Sequence, residues 1–409
     1  MAREWVNWSG SLRFTPERIE TPDSEQAVAA IVQRAAEQGR TVRVAGRGHS
    51  SSPLVQTDDT LASLERLQGI ESVDTAAHEA TIRAGMTLQD AGEALFEAGL
   101  AMHNLGDVNV QQVIGGISTG THGTGRKLPC LSAMLVGGRM VIGSGEVIEF
   151  TEEQPPGFLQ AARVGLGVLG IITSLRLRLL PAYKLHRQEW CTDVRHCLDH
   201  LDELVARNRN FDFYWYPRSD EVKLRTWNLP GEEPGDLPYA TLVEDRTDWA
   251  HRIITKKRTI RFDEMEYGIP AEAGVRCFLQ VRRRMKDVYR KYVGWRLLYR
   301  TVAPDDACLS IAHGCETVTI SVHHNAGLPF EDFFRGIEPI LRDHEGRPHW
   351  GKKHTLRAED LRPLYPQWDV FLQARQHTDP QGVFLTPYLR ELLGVPVSEQ
   401  ARAAAFAGR

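Results

Sequence analysis

The chain has 409 residues, 42% of them hydrophobic, enough for two domains that each bury a core. Its 49 Lys and Arg nearly balance 53 Asp and Glu, so there is no chain-wide basic footprint for nucleic acid. No apolar run of about 18 residues predicts a membrane span, and the segment Met1 to Trp8 lacks the apolar centre of a signal peptide. Six cysteines are scattered without a CxxC pair and read as reduced thiols, which makes the cytoplasm the expected compartment.

In chain order, the first clear pattern runs from Pro22 to Gly39. A Thr/Pro/Asp/Ser cluster precedes Ala, Ile and Val at helical spacing, and a glycine closes the run, which predicts a helix. The predicted strand Thr41–Val44 then enters Ala45-Gly-Arg-Gly-His-Ser-Ser-Ser-Pro53. Gly46 and Gly48 permit positive φ and bring N–H groups close to a diphosphate, while Arg47, Ser50 and Ser51 add donors. A neutral imidazole adds little to anion binding, so His49 is expected to reach a ligand by another route.

Strands are predicted at Ser72–Asp74, Glu79–Arg83 and Met134–Ile142, and a capped amphipathic helix at Thr87–Gly99. Between them lies Val113-Ile-Gly-Gly-Ile-Ser-Thr-Gly-Thr-His-Gly-Thr-Gly125. Its glycines and hydroxyls suit a backbone that wraps a flat, phosphorylated ligand, anchored by Val113, Ile114 and Ile117. Gly165-Leu-Gly-Val-Leu-Gly170 is a literal GxGxxG, yet a dinucleotide fingerprint needs a helix after it. Here Ile171 and Ile172 open an alternating run to Leu180 that reads as a strand, so a nicotinamide site is not expected.

Pro181 follows that strand and marks the expected domain edge at 182/183. The next region is richer in aromatics and charges, with alternating runs at Phe211–Tyr216 and Thr317–Val322 and a surface excursion at Pro230–Pro238. His323 and His324 alternate faces, so one can reach a pocket, and spacing alone does not say which. Gly346-Arg-Pro-His-Trp-Gly-Lys-Lys-His354 crowds two histidines and two lysines together. No thiolate or carboxylate lies close in sequence to complete a ligand set, so no metal is expected at His349 and His354.

Taken in order, Gly46–Pro53, Gly115–Gly125, Ala162–Ile171, Arg347–Lys352 and Asp379–Leu385 resemble signatures of the aldonolactone and alditol oxidases. These belong to the vanillyl-alcohol-oxidase family of flavoproteins. The resemblance implies an α+β fold. Residues 1–182 would form a two-subdomain FAD-binding domain. Residues 183–409 would form a substrate-binding cap on a mixed or antiparallel sheet with flanking helices, and the segment from about 346 to 409 would return to the flavin.

The resemblance also implies that FAD is held by Gly46, Arg47, Gly48, His49, Ser50 and Ser51 in the first segment. The second would supply Gly115, Gly116, Ser118, Thr119, Gly120, Thr121, His122 and Gly123, and the third Gly165, Gly170, Ile171 and Ile172, with His349 and Lys352 from the cap. His49 stands where such oxidases join a histidine to the flavin 8α-methyl. The implied activity transfers hydride from a carbinol C–H of a sugar lactone or sugar alcohol to flavin N5, with molecular oxygen reduced to hydrogen peroxide. A dehydrogenase with another acceptor and a decayed polyol-binding flavoprotein are the rival readings.

Lys352 matches the family's substrate-contacting lysine and Arg300 the arginine of its Glu-x-Arg pair. Leu298 stands where that pair has glutamate, which departs from the pattern. Glu266 is the expected substitute, with a solvated strand-edge charge as the alternative, and His323 completes the catalytic candidates. No nucleic-acid or membrane partner is expected, and the chain would act as a monomer or homodimer.

Overall fold

In the computed structural model, which describes residues 3–153, 157–255 and 260–396, the first helix is Glu25–Glu37. Met1, Ala2 and the tail of the 346–409 segment lie outside the described residues. Ser24 caps the helix by accepting from the Ala27 N–H, and the face carrying Val28, Ile31, Val32 and Ala35 is buried. It contacts a three-stranded parallel sheet ordered Arg18–Glu20, Thr60–Ala62, Val42–Val44. The strand expected at Thr41–Val44 begins one residue later, because the Thr41 N–H and hydroxyl both go to Asp59, at 2.8 Å each.

A second, antiparallel sheet is ordered Val147–Thr151, Leu135–Val141, Ile171–Arg178, Glu79–Arg83, Ile70–Asp74. Here Gly165–Gly170 leads straight into a strand, as its alternating sequel predicts. A Cβ on Gly170 would fall 2.5 Å from Met140 Cγ, so glycine is needed for close strand packing. The Val113–Gly125 segment differs from a pure loop. Its first six residues, Val113–Ser118, form a short helix because Val113, Ile114 and Ile117 share a buried face.

Among the described residues, the second half is built on a sheet of eight antiparallel strands. Their order is Thr241–Trp249, Lys184–Asp193, Glu221–Asn228, Asn210–Trp215, Leu297–Val302, Thr317–Asn325, Phe262–Pro270 and Arg347–Pro348. Helices Gly274–Arg284 and Glu331–Arg342 pack on it and on each other. Trp215, Phe213, Tyr267 and Phe278 form part of the buried core. The C-terminal segment reaches back to the first sheet: Val42 N–H donates to Val383 O at 2.9 Å, and Arg43 donates to Phe384 O at 2.9 Å. Asp379 shapes that turn by accepting from the N–H groups of Val383 and Phe384. Among the described residues, no helix is long and apolar enough to cross a membrane.

Candidate active site

The loop after Val44 forms a wall common to two clefts. Gly48 adopts φ +68°, and a Cβ there would lie 3.2 Å from Asn7 Cα, which restricts the position to glycine. Two hydrogen bonds tie the loop to the far end of the chain: Ser51 N–H to Gly351 O at 2.8 Å and Ser52 Oγ to Trp350 O at 2.6 Å. His49 stacks on Trp8 with centroids 5.1 Å apart.

The first cleft spans about 1070 Å³, part of it open to solvent. It is lined by Gly46 through Ser50, by Gly115, Ser118 and Thr119, and by Gly165, Gly170, Ile171 and Ile172. Three segments spread over more than a hundred residues of sequence thus meet on one surface. A Cβ on Gly115 would project into open space, whereas one on Gly46 would sit 2.7 Å from Gln112 Oε1. Gly116, Gly120 and Gly123 line neither cleft. The role visible for Gly123 is packing, since a Cβ there would meet Leu105 O at 2.5 Å.

The second cleft, about 930 Å³, shares His49, Ser50, Gln111 and Thr119 with the first. It adds Ser51, Thr121, His122, Glu266, Arg300, His323, His349 and Lys352 from the sequence expectation, and Trp8, Asp107, Glu264 and Leu298 beside them. Strand register explains the assembly. Ser321 pairs with Leu298 on one side and Glu266 on the other, while His323 pairs with Glu264. Residues two apart share a sheet face, so Leu298, Glu264, Glu266 and His323 all line the cleft, with Ser321 buried beneath them on the same face. His323 is therefore the histidine that reaches it, and His324 points away toward Phe333. Glu264 was missed although its spacing from Glu266 signals the same face.

The cations are not open, as Lys352 and Arg300 would be if each simply awaited substrate. The Lys352 ammonium donates to Glu264, which also accepts from the Ser321 hydroxyl and lies 3.3 Å from His323 Nε2. Burial pushes the Glu264 carboxyl up, but Lys352 and His323 outweigh it and hold it well below the carboxylate range. Arg300 donates to Asp107 at 2.7 Å and to Asp212 at 3.1 Å. Asp212 sits in register between Arg300 and Arg225, so the sheet itself sets a cross-strand ion cluster. Burial disfavours the Arg300 charge, yet Asp107 and Asp212 raise its pKa above the ordinary value.

Glu266 is only 4% exposed, which removes the solvated-edge reading. Burial raises its carboxyl, but His122 outweighs that and the group sits at about 2. His122 Nε2 lies 3.1 Å from Glu266 Oε1, and its Nδ1 donates to Gly123 O at 2.8 Å. Glu266 Oε1 nonetheless lacks a hydrogen bond of good geometry among the described residues. His349 completes a trio whose polar atoms lie within 4.8 Å of one another. The carboxylate that sequence proximity could not supply thus comes from another strand. Even so, His349 Nδ1 accepts from the Gly351 N–H, so a neutral ring carries its proton on Nε2 and donates there. An acceptor beside a donor suits a hydroxyl better than a metal ion. His354 lies elsewhere, on a separate cleft that Ser52 and Phe330 also line.

Burial pushes His49, His103, His349 and His354 down to about 4. Unfolded imidazoles titrate near about 6.5. Between these values the unfolded chain binds protons that the native chain refuses. Stability is therefore full above the unfolded pKa and falls as pH drops toward 4, by up to about 1.4 kcal/mol per pH unit for each group. The melting midpoint is expected to fall steeply over that window, and His354→Asn should flatten the profile. A midpoint independent of pH there would contradict the burial of these rings.

Residues 16–151 match the family described as FAD binding domain. The whole architecture is similar to a cholesterol oxidase from Brevibacterium sterolicum, with a TM-score of 0.83 over 96% of this chain and 97% of that one. At 17% identity this is a likeness of fold. The glycine-lined first cleft fits FAD, because a flat dinucleotide needs backbone on both sides and Gly115 leaves that space open. Together with the second-half match, these features define an FAD-dependent oxidoreductase. That match covers residues 175–247 and 237–392 and is to D-arabinono-1,4-lactone oxidase. The L-gulono-1,4-lactone dehydrogenase of Mycobacterium tuberculosis is 34% identical over 96% of this chain and 100% of its own length. The L-gulonolactone oxidase of Bos taurus is 26% identical over 95% and 98%. The chain belongs to the D-arabinono-1,4-lactone oxidase family, in the aldonolactone-oxidase branch of the vanillyl-alcohol-oxidase flavoproteins.

Proposed function

We propose that the protein oxidises a carbinol carbon of a sugar lactone or sugar alcohol, with His49 covalently attached to FAD and molecular oxygen reduced to hydrogen peroxide. The observation that carries this reading is the position of His49, on the wall shared by the glycine-lined cleft and the Lys/Glu/His cleft. On this reading residues 1–182 hold the cofactor and 183–409 hold the substrate. FAD supplies the hydride acceptor when bound.

The chain's own residues do the rest. Glu266 Oε1 and the His349 Nε2–H grip the reacting hydroxyl as acceptor and donor. Its proton passes to the Glu266–His122 pair, which is already adjacent. Lys352, steered by Glu264 and His323, stabilises negative charge that develops on substrate oxygen. Trp8 and Phe262 close one side of the cleft with apolar surface and limit water access.

The test is anaerobic mixing with pentonolactones, hexonolactones and alditols, followed by absorbance of the flavin. Bleaching by at least one of them is the expected result; failure of the whole panel would refute the assignment. The similarity to a protein named a dehydrogenase supports a second acceptor reading. Peroxide formed in air separates the two, since an oxidase yields one peroxide per substrate and a dehydrogenase nearly none.

A further inference from the structure

The charges of the second cleft limit the compounds it can admit. Arg300 and Lys352 are the arginine and lysine that line it, and each is already held by carboxylates: Arg300 by Asp107 and Asp212, Lys352 by Glu264. Arg225 shares Asp107 and Asp212 but is fully buried and does not line the cleft. Among the described cleft residues, the buried side-chain atom left without a hydrogen bond is an acceptor, Glu266 Oε1. A substrate carboxylate would find no uncommitted cation here. Asp107, Glu264 and Glu266 outnumber Arg300 and Lys352 along the cleft, so a substrate carboxylate docked beside either cation adds a further negative charge to a half-enclosed site whose cations are already balanced. A hydroxyl or ammonium can donate to Glu266 Oε1, which has His122 beside it but no hydrogen bond of good geometry.

We infer that the cleft admits uncharged or cationic polyhydroxylated compounds and excludes sugar acids, and that Asp107 sets this exclusion by capping Arg300. The inference rests on the lactone and alditol reading above and sharpens it. A lactone and its ring-opened acid differ by one water and interconvert by hydrolysis, so both forms of one sugar would reach the protein. Only the closed ring is taken. Asp107 acts by repulsion as much as by holding Arg300, which is how a site rejects a close analogue that shape alone would accept. Its position is fixed from three sides, by Arg300, by Arg225 and by the Tyr214 hydroxyl at 2.6 Å.

The experiment uses the full-length holoenzyme with a matched set: a γ-lactone, its sodium aldonate, the corresponding alditol and an amino-alditol. Flavin bleaching reads turnover. Tryptophan fluorescence reads binding separately, because Trp8 lines the cleft. Wild-type kcat/KM for the aldonate is expected to fall at least about 100-fold below that for the lactone. Asp107→Asn keeps the shape and removes the charge, and should narrow that ratio by about tenfold or more through tighter aldonate binding. Glu266→Gln provides an independent arm and should erase any advantage of the amino-alditol over the alditol.

An aldonate bleached within about threefold of the lactone would overturn the inference and leave the lactone reading standing. So would an unchanged ratio in a folded Asp107→Asn protein. If that variant fails to fold, an amino-alditol advantage that survives in Glu266→Gln does the same. If no compound bleaches the flavin, the underlying activity assignment fails and this inference with it.

Discussion

Lys352→Met is expected to slow flavin reduction by about 10²- to 10³-fold, the effect of removing one aligned charge-stabilising donor from an enclosed site. Methionine keeps most of the length and none of the charge. The flavin should stay bound, because Lys352 lines the second cleft and not the first. The same change has a structural cost that can be separated. Glu264 is buried and its ionised form depends on Lys352, with His323 and Ser321 as remaining partners. Breaking such a pair from one side costs on the order of 3 kcal/mol, more than the intact pair contributes. The double variant Lys352→Met with Glu264→Gln should therefore recover most of the lost stability and none of the lost rate. Stopped-flow reduction and thermal melting measure the two quantities independently. Recovery of rate in the double variant would show that Lys352 merely balances Glu264.

The glycine-rich segments were legible in the chain because backbone conformation is a local property. Gly48 takes positive φ and Gly170 leads into a strand, as their neighbours predict, whereas Gly46 keeps an ordinary φ and is held to glycine by the nearby Gln112 side chain. Strand alternation likewise placed one of His323 and His324 in a pocket, although the choice needed the register of three strands. Ion pairing was not legible. Asp212, Arg225 and Arg300 come from three strands, and Asp107 comes from a loop of the other half, so no spacing rule connects them. The substitution at Leu298 reads differently once the sheet is known. A glutamate there would share a row with Ser321 and Glu266, so this chain carries its carboxylates on the strand Phe262–Pro270, two ladders away. Glu266 and Glu264 both satisfy that geometry, and the sequence pointed to only one. His122 shows the converse: its glycine-rich context suggested phosphate, whereas the fold turns its ring toward Glu266.

His49→Ala is expected to abolish flavin fluorescence on a denaturing gel, because the imidazole is the one group of its loop able to form a carbon–nitrogen bond to the ring. Burial, aided by the nearby Lys352 charge, holds His49 down at about 4, so a neutral nucleophilic nitrogen predominates at physiological pH. Its stack on Trp8 fixes the ring plane at the seam between the two clefts. Loss of the bond need not empty the site. Backbone at Gly46, Gly48 and Gly115 still lines the first cleft, and the ties from Ser51 and Ser52 to the 350–351 backbone do not involve the imidazole. The variant should therefore bind FAD reversibly, release it on dilution or gel filtration, and melt at a temperature that depends on added FAD as mass action requires. Removing an electron-withdrawing attachment should also lower the flavin's reduction potential, so flavin reduction by a substrate would slow even in FAD-saturated enzyme. Fluorescence retained on the gel after the change would assign the anchor to another residue. Tight, dilution-resistant binding without the bond would mean that the glycine-lined cleft alone secures the cofactor, leaving the bond to tune redox chemistry.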